Sequence, residues 1–274
     1  MNMGVVLRRA VSMAMSYPVS LPIFAAYFLS RNSKILDLFY TIRSMTHGIP
    51  IGKGLRLARI KGLWLVYPSR EDPNFEDVFL RDVYHAFVPV QDDVVFDVGA
   101  HMGFFTTKIA KQVKKVVSFE PDSVNYRFLK ANISLNSMSN ISSMNCAVGK
   151  ENGFLFLENK YGHGRTKITD AKTGRKVLVK TIDSLAKELK LTPSLIKIDT
   201  EGYELNILIG TLSTLSNSKP KLLIASYHYP NEAKDIVKFL TQKSYCCYLY
   251  TVPLTLQSTL EAYIYAIPSR GCNS

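Results

Sequence analysis

Acidic residues placed at the ends of apolar runs give this chain its chemistry. Asp97 and two glycines stand in Val94-Val95-Phe96-Asp97-Val98-Gly99-Ala100-His101-Met102-Gly103. Glu120 follows the run Val116-Val117-Ser118-Phe119 and precedes Pro121-Asp122. Asp199 and Glu201 lie in Lys197-Ile198-Asp199-Thr200-Glu201-Gly202-Tyr203-Glu204. A carboxylate that ends the second strand of such a unit can accept hydrogen bonds from both hydroxyls of a ribose, which predicts that role for Glu120. Asp199 or Glu201 could stabilise a cation, hold a metal or accept a hydroxyl proton. Glu204 reads instead as a helix-start acid that complements the dipole.

The glycine spacing selects the ligand. A dinucleotide-binding turn needs G-x-G-x-x-G, which sets a helix N-terminus against a pyrophosphate. Here the turn is Gly99-x-x-x-Gly103 with Asp97 before it. An acid there repels a pyrophosphate and suits a ligand with a cationic group nearby. S-adenosylmethionine carries an ammonium, a ribose and a sulfonium, and no phosphate. The glycines let the chain turn tightly and let a ligand approach the backbone. The competing reading is a structural βαβ unit with no ligand.

Methyl transfer to a hydroxyl also needs a proton acceptor. His228 is the first candidate, because neutral imidazole is available near pH 7. Asp199 is the second. His101, in the glycine turn, is expected to pack near the cofactor, and His163 could touch substrate.

These residues need a rigid frame, and the pattern supplies one. Leu55–Ile60 and Leu63–Tyr67 read as a hairpin turned at Lys61-Gly62, and 74–85 as a helix. A strand to Asp97, a helix over 104–113, a strand to Glu120 and a helix over 122–136 follow. Residues 141–145 form a short strand and 153–157 a sheet extension. Residues 158–178 form a polar excursion or hairpin, with a turn at Lys172-Thr173-Gly174. Then come helix 182–189, strand 195–198, helix 204–215, strand 221–226 and helix 231–242. Strands 245–250 and 262–267 close the chain. Alternating β and α elements imply a mainly parallel sheet, and two strands in succession imply that the last is antiparallel. The chain divides into a basic, apolar helical extension (1–50), a hairpin and helix leading into the core (51–90), and the main domain (91–270).

The chain has 274 residues, 47% of them hydrophobic, enough for one large α/β domain with an extension. Its formal charge is +12, of which +7 falls in residues 1–60, where eight Lys/Arg face the single acid Asp37. Such a bias suits an anionic membrane surface or nucleic acid, or serves solubility. Residues 11–30 are uncharged, but Pro18 and Pro22 interrupt them. Peripheral membrane contact through residues 1–45, or packing on the domain, is therefore expected over a span. The four cysteines have no metal-ligand spacing, so no metal is expected, and Cys246 and Cys247 read as strand thiols of a cytoplasmic protein.

The sequence resembles the FkbM family of S-adenosylmethionine-dependent methyltransferases. The resemblance rests on Asp97-Val98-Gly99-Ala100-His101-Met102-Gly103, Phe119-Glu120-Pro121, Thr181-Ile182-Asp183-Ser184-Leu185 and Lys197–Glu204, with Val78-Phe79 to Tyr84 also fitting. It covers about residues 70–250 and leaves 1–60 outside. It implies a class I methyltransferase-like (Rossmann-like) α/β fold, a mainly parallel seven-stranded sheet with helices on both faces and an antiparallel last strand. It implies methyl transfer to a hydroxyl of a small molecule or sugar, and the expected activity is O-methylation of a small molecule, sugar or lipid-linked glycan. Many members carry an acid before the His that follows the fifth strand; here the run is Ala225-Ser226-Tyr227-His228. The expected cofactor-binding residues are Asp97, Gly99, Ala100 and Gly103 with Glu120, Pro121, Asn145 and Cys146. The expected catalytic residues are Asp199, His228 and Glu201. One alternative is an RNA methyltransferase, though an Asn-Pro-Pro-like segment is missing after the fourth strand and nucleic acid is not the expected partner. Another is a membrane-associated scaffold that keeps the fold without catalysis.

Overall fold

The computed structural model describes residues 48–158, 167–169, 174–253 and 260–269. The N-terminal segment with its expected membrane contact, His163 and Lys172-Thr173 lie outside the described residues. Among the described residues no helix is long and apolar enough to cross a membrane.

A small antiparallel sheet opens the described chain. It comprises β1 (Ile49–Gly52), β2 (Leu55–Ile60) and β3 (Leu63–Pro68). A 3₁₀ turn at Ser69–Glu71 leads into α1 (Asp72–Phe79). The helix expected over 74–85 therefore stops at Phe79. The chain then turns through Asp82, whose φ of 49° lies outside the helical range, and this frees Tyr84 from the helix.

The main domain follows: β4 (Val94–Val98), α2 (Phe104–Ala110), β5 (Lys115–Phe119), α3 (Ser123–Leu135) and β6 (Ile141–Met144). Next come β7 (Ala147–Val148), β8 (Gly153–Glu158), β9 (Lys167–Thr169) and β10 (Arg175–Lys180). Then α4 (Ile182–Leu189), β11 (Leu195–Ile198), α5 (Glu204–Ile209) and α6 (Leu212–Asn217). The described chain closes with β12 (Lys221–Ala225), α7 (Glu232–Thr241), β13 (Tyr245–Pro253) and β14 (Leu260–Pro268).

Seven strands form one sheet in the order β13-β14-β12-β11-β4-β5-β6. The pairs β12/β11, β11/β4, β4/β5 and β5/β6 are parallel, and β14 is antiparallel to both its neighbours. Strand order reverses at β4, between β5 and β11, and open α/β sheets hold ligands beyond the carboxyl ends of strands at such a point. Alternate residues of β4 feed opposite faces: Val95 joins one apolar layer and Phe96 the other.

The first layer also holds Leu65, Tyr67 and Phe75, so the N-terminal hairpin and α1 share a core with α2. Asn132 accepts the Val66 N–H at 2.7 Å, and Asn136 pairs with both main-chain groups of Trp64. Two expectations change. Residues 153–157 do not extend the main sheet; β8 belongs to a second, four-stranded sheet of order β7-β10-β8-β9. The helix expected over 204–215 is broken at Gly210, where a Cβ would stand 2.0 Å from the Gly149 carbonyl. Cys146 and Cys247 are free, but Cys246 is disulfide-bonded, against the reading of both neighbours as free thiols.

Candidate active site

The ends of β4, β5 and β11 and the turn after α1 enclose one pocket. Gly99, Ala100, Glu120, Pro121 and Cys146 line one part of it, and Asp199, Glu201, Tyr84, Tyr227 and Tyr263 another. Asp97, Gly103, Asn145 and His228 stand outside its wall, each with a different task.

Asp97 is fully buried behind the glycine turn. It pairs in register with Lys197 on the adjacent strand, whose ammonium lies 3.2 Å from Asp97 Oδ1. Thr106 donates to the other oxygen at 2.6 Å. The negative charge expected to meet a ligand ammonium is thus neutralised inside the protein. Lys197 also donates to the Gly99 carbonyl at 2.8 Å, so the pair holds the turn in shape. A lysine inside the buried run Leu195–Ile198 was the available signal, because a charge survives there only with a partner.

Gly99 has φ 73°, and a Cβ on it would meet the Asp199 carbonyl oxygen at 1.9 Å. The glycine is required by the meeting of two strand ends, not only by a ligand. Gly103 (φ 81°) starts α2, and a Cβ there would meet Leu129 of α3 at 2.5 Å. Asn145 donates to the Glu120 and Pro121 carbonyls at 2.7 and 3.1 Å, fixing the turn that carries Glu120.

Glu120 projects from the end of β5 with only 4% of its surface exposed. The His101 N–H donates to Oε2 at 2.8 Å and the Asp122 N–H to Oε1 at 2.7 Å. Burial pushes its pKa up to about 7, against the pull of these two N–H groups. Asp122 caps α3 through the Val124 and Asn125 N–H groups. Burial raises the Cys146 thiol to about 11, so it is a neutral wall group. His101 turns its ring toward Glu71, 3.4 Å away, and burial lowers its pKa.

Across the pocket, Asp199 accepts a short hydrogen bond from the Tyr84 hydroxyl. Burial works to raise its pKa, but Lys197, His228 and the Tyr84 hydroxyl outweigh it and hold the carboxyl below the usual range. Tyr84, Tyr227, Tyr250 and Tyr263 form a continuous aromatic wall, with ring centroids 5.5–5.8 Å apart at each contact with Tyr263. Tyr84 acts in the site without having been singled out in the sequence as a site residue.

His228 lies behind Asp199, its Nε2 3.6 Å from Asp199 Oδ1. Its Nδ1 faces Glu204 at 3.4 Å and Glu232 at 3.5 Å. Burial alone would lower its pKa, but the Glu232, Asp199 and Glu204 carboxylates reverse this and raise it. The imidazole is therefore charged near neutrality and is not the neutral base expected from the sequence. Glu204 does take the helix-start role, accepting from Thr200 N at 2.7 Å and Thr200 Oγ1 at 3.1 Å. It also faces His228, so Glu204 shares the Asp199 cluster, while Glu201, at φ 59°, forms the pocket rim. Glu232 stands beside the His, whose preceding run Ala225-Ser226-Tyr227 supplies no acid.

The FkbM methyltransferase domain matches residues 97–248, more than half of the chain. The chain belongs to the FkbM methyltransferase family. A hexuronic acid methyltransferase of Haloferax volcanii is 26% identical over 157 residues, 56% of this chain and 63% of that protein. A protein named Methyltransferase 1 from Beauveria bassiana is 22% identical over 161 residues, 49% of this chain and 65% of that protein. The chain thus spans less than two thirds of the length of these relatives. An FkbM methyltransferase structure from Methylobacillus flagellatus superposes with a TM-score of 0.53 at 19% identity, covering 72% of this chain and 50% of that one. That likeness supports the class I methyltransferase fold, which the sheet order already displays.

Proposed function

We propose that this FkbM-family protein is an S-adenosylmethionine-dependent O-methyltransferase acting on a hydroxyl of a sugar or glycan. The observation that carries this reading is one pocket with Glu120 on one side and Asp199 among tyrosines on the other. Glu120 fits a ribose: two main-chain N–H groups fix its carboxylate, and each oxygen keeps a lone pair for a hydroxyl. The pocket lining offers no G-x-G-x-x-G phosphate cradle. Gly99, Ala100 and Pro121 bound the cofactor side, with Cys146 on the wall.

When bound, S-adenosylmethionine supplies a methyl group on a sulfonium carbon open to in-line displacement. The chain's task is to align a hydroxyl with that carbon and to keep water out. Asp199 is ionised at neutral pH and can accept a hydrogen bond from the acceptor hydroxyl. A hydroxyl becomes strongly acidic as it gains a methyl, so even a weak base takes its proton as the new bond forms. Tyr84 fixes the orientation of Asp199. Tyr227, partly exposed on the pocket wall, offers an aromatic surface for a sugar ring, and Tyr263 is buried behind it. The similarity to a hexuronic acid methyltransferase supports this acceptor class. The basic segment 1–45 suits peripheral contact with a membrane that presents a lipid-linked glycan.

Calorimetry with S-adenosylmethionine, followed by a methyl-transfer screen on glycan, lipid and RNA fractions, tests this reading. Cofactor binding with transfer to the glycan fraction is the expected result. No cofactor binding by folded protein would leave a scaffold, and transfer to RNA alone would replace the acceptor class.

A further inference from the structure

Four ionisable side chains from four segments converge behind the Asp199 edge of the pocket. Asp199 follows β11, Glu204 starts α5, His228 follows β12 and Glu232 starts α7. Asp199, Glu204 and His228 each offer one donor atom, and those atoms all lie within 4.8 Å of one another. Glu204 is fully buried, and the His228 side chain is 7% exposed.

The donors are held but not satisfied. Glu204 is anchored through Oε1 by Thr200, while its Oε2 has no hydrogen-bond partner. Glu232 accepts the His228 main-chain N–H through Oε2 at 2.7 Å, while its Oε1 has none. Both ring nitrogens of His228 are also buried without a well-aligned hydrogen-bond partner, and the facing carboxylate oxygens stand 3.4–3.6 Å away. Native interiors partner nearly all such atoms, so several orphans in one cluster call for a missing species. Three carboxyl groups also face one imidazole in a dry place, where their ionised forms are costly without a counter-cation.

We infer that Asp199, Glu204 and His228 bind one divalent metal cation, with Glu232 orienting His228 from outside the ligand set. Two carboxylates and one imidazole are a mixed oxygen and nitrogen donor set, which suits an ion of the manganese class. Glu232 fixes His228 through its main chain, accepting the His228 N–H at 2.7 Å. Asp199 borders the pocket, so the ion has an open side toward the acceptor. Resting on the methyl-transfer reading above, the acceptor hydroxyl would become a further ligand there, and coordination would acidify it so that its proton passes to the Asp199 oxygen not bound to the ion as the methyl–oxygen bond forms and the methyl–sulfur bond breaks.

Titration of chelator-treated protein with Mn²⁺, followed by the electron paramagnetic resonance of the free ion, tests the site. One ion per chain is expected. Glu204→Gln and His228→Gln should weaken binding at least tenfold. Both positions are buried, so Asp199→Asn, at the pocket edge, is the control for folding and should also weaken binding at least tenfold. Absence of bound Mn²⁺ at millimolar concentration, or equal binding by all three folded variants, would overturn the site in favour of a closed ion-pair network. S-adenosylmethionine calorimetry on the same preparations separates the two readings. Cofactor binding without Mn²⁺ binding removes only the metal site. Mn²⁺ binding without cofactor binding removes the methyltransferase reading and leaves the metal site standing.

Discussion

The ammonium of Lys197 bridges the Asp97 carboxylate, at 3.2 Å, and the Gly99 carbonyl, at 2.8 Å. One buried cation thus ties β11 to β4 and to the turn that β4 feeds. Lys197→Met leaves the Asp97 charge buried with no counter-ion. Loss of one partner of a buried pair costs about 3–5 kcal/mol, so the variant should unfold at markedly lower urea concentration. Adding Asp97→Asn should restore much of that loss. A single variant within about 1 kcal/mol of wild type, small beside the cost of breaking a buried pair, would show that the pair is not structural.

Gly99 and Gly202 both have positive φ, 73° and 98°, but meet different neighbours. A Cβ on Gly99 collides with the Asp199 carbonyl at 1.9 Å, whereas a Cβ on Gly202 finds its nearest atom, His228 Cβ, at 3.5 Å. Gly202→Ala should cost only the backbone penalty, about 1–2 kcal/mol. Gly99→Ala must push two strand ends apart and should cost more and abolish cofactor binding. Thermal unfolding of both variants checks the order, and equal losses would remove the steric argument.

The frame of the site was legible because strand runs and helix caps are local. Val94–Val98, Leu195–Ile198 and the helix that starts near Asp122 follow from adjacent residues alone. Glu120 was legible for the same reason, since it ends a strand. What escaped was set by pairing across the sheet. Asp97 and Lys197 are a hundred positions apart, and only the β4/β11 register shows that one neutralises the other. The charge state of His228 depends on Glu204 and Glu232, which arrive from two other helices. Tyr84 entered the site because α1 ended early, a boundary that propensity places poorly.

Glu120 gives the cofactor reading a pH signature. Burial raises its pKa to about 7 in the empty protein. Ribose hydroxyls donate to the ionised form, so binding below that value must first expel a proton. Affinity for S-adenosylmethionine should rise with pH, by at most about tenfold per unit, and level off above about 7. Glu120→Gln should flatten the profile, and Glu120→Ala should cost about 1.5–3 kcal/mol, the scale for hydrogen bonds to charged groups. Calorimetry between pH 5.5 and 8 measures both. The same shift makes the empty fold less stable as pH rises, because the stability linked to neutral Glu120 is full below its unfolded value, 4.5, and lost through about 7. A flat affinity profile in the wild type would remove Glu120 from the ribose.

The Tyr84 hydroxyl and Asp199 carboxylate form the last pair with a measurable consequence. If Asp199 receives the acceptor proton, Asp199→Asn should lower turnover by about 10²–10⁴, the range for losing a general acid-base group. Tyr84→Phe keeps the carboxylate but frees it to rotate, so it should lower turnover less. Neither change touches the Glu120 side of the pocket, so S-adenosylmethionine affinity should stay within a few-fold of wild type in both. Turnover on the acceptor from the fraction screen and calorimetry on the same preparations read the two effects separately. Parallel loss of affinity and turnover in Asp199→Asn would assign Asp199 to the cofactor instead of the acceptor. Unchanged turnover per folded molecule would make the Tyr84–Asp199 pair a structural link between the turn after α1 and β11.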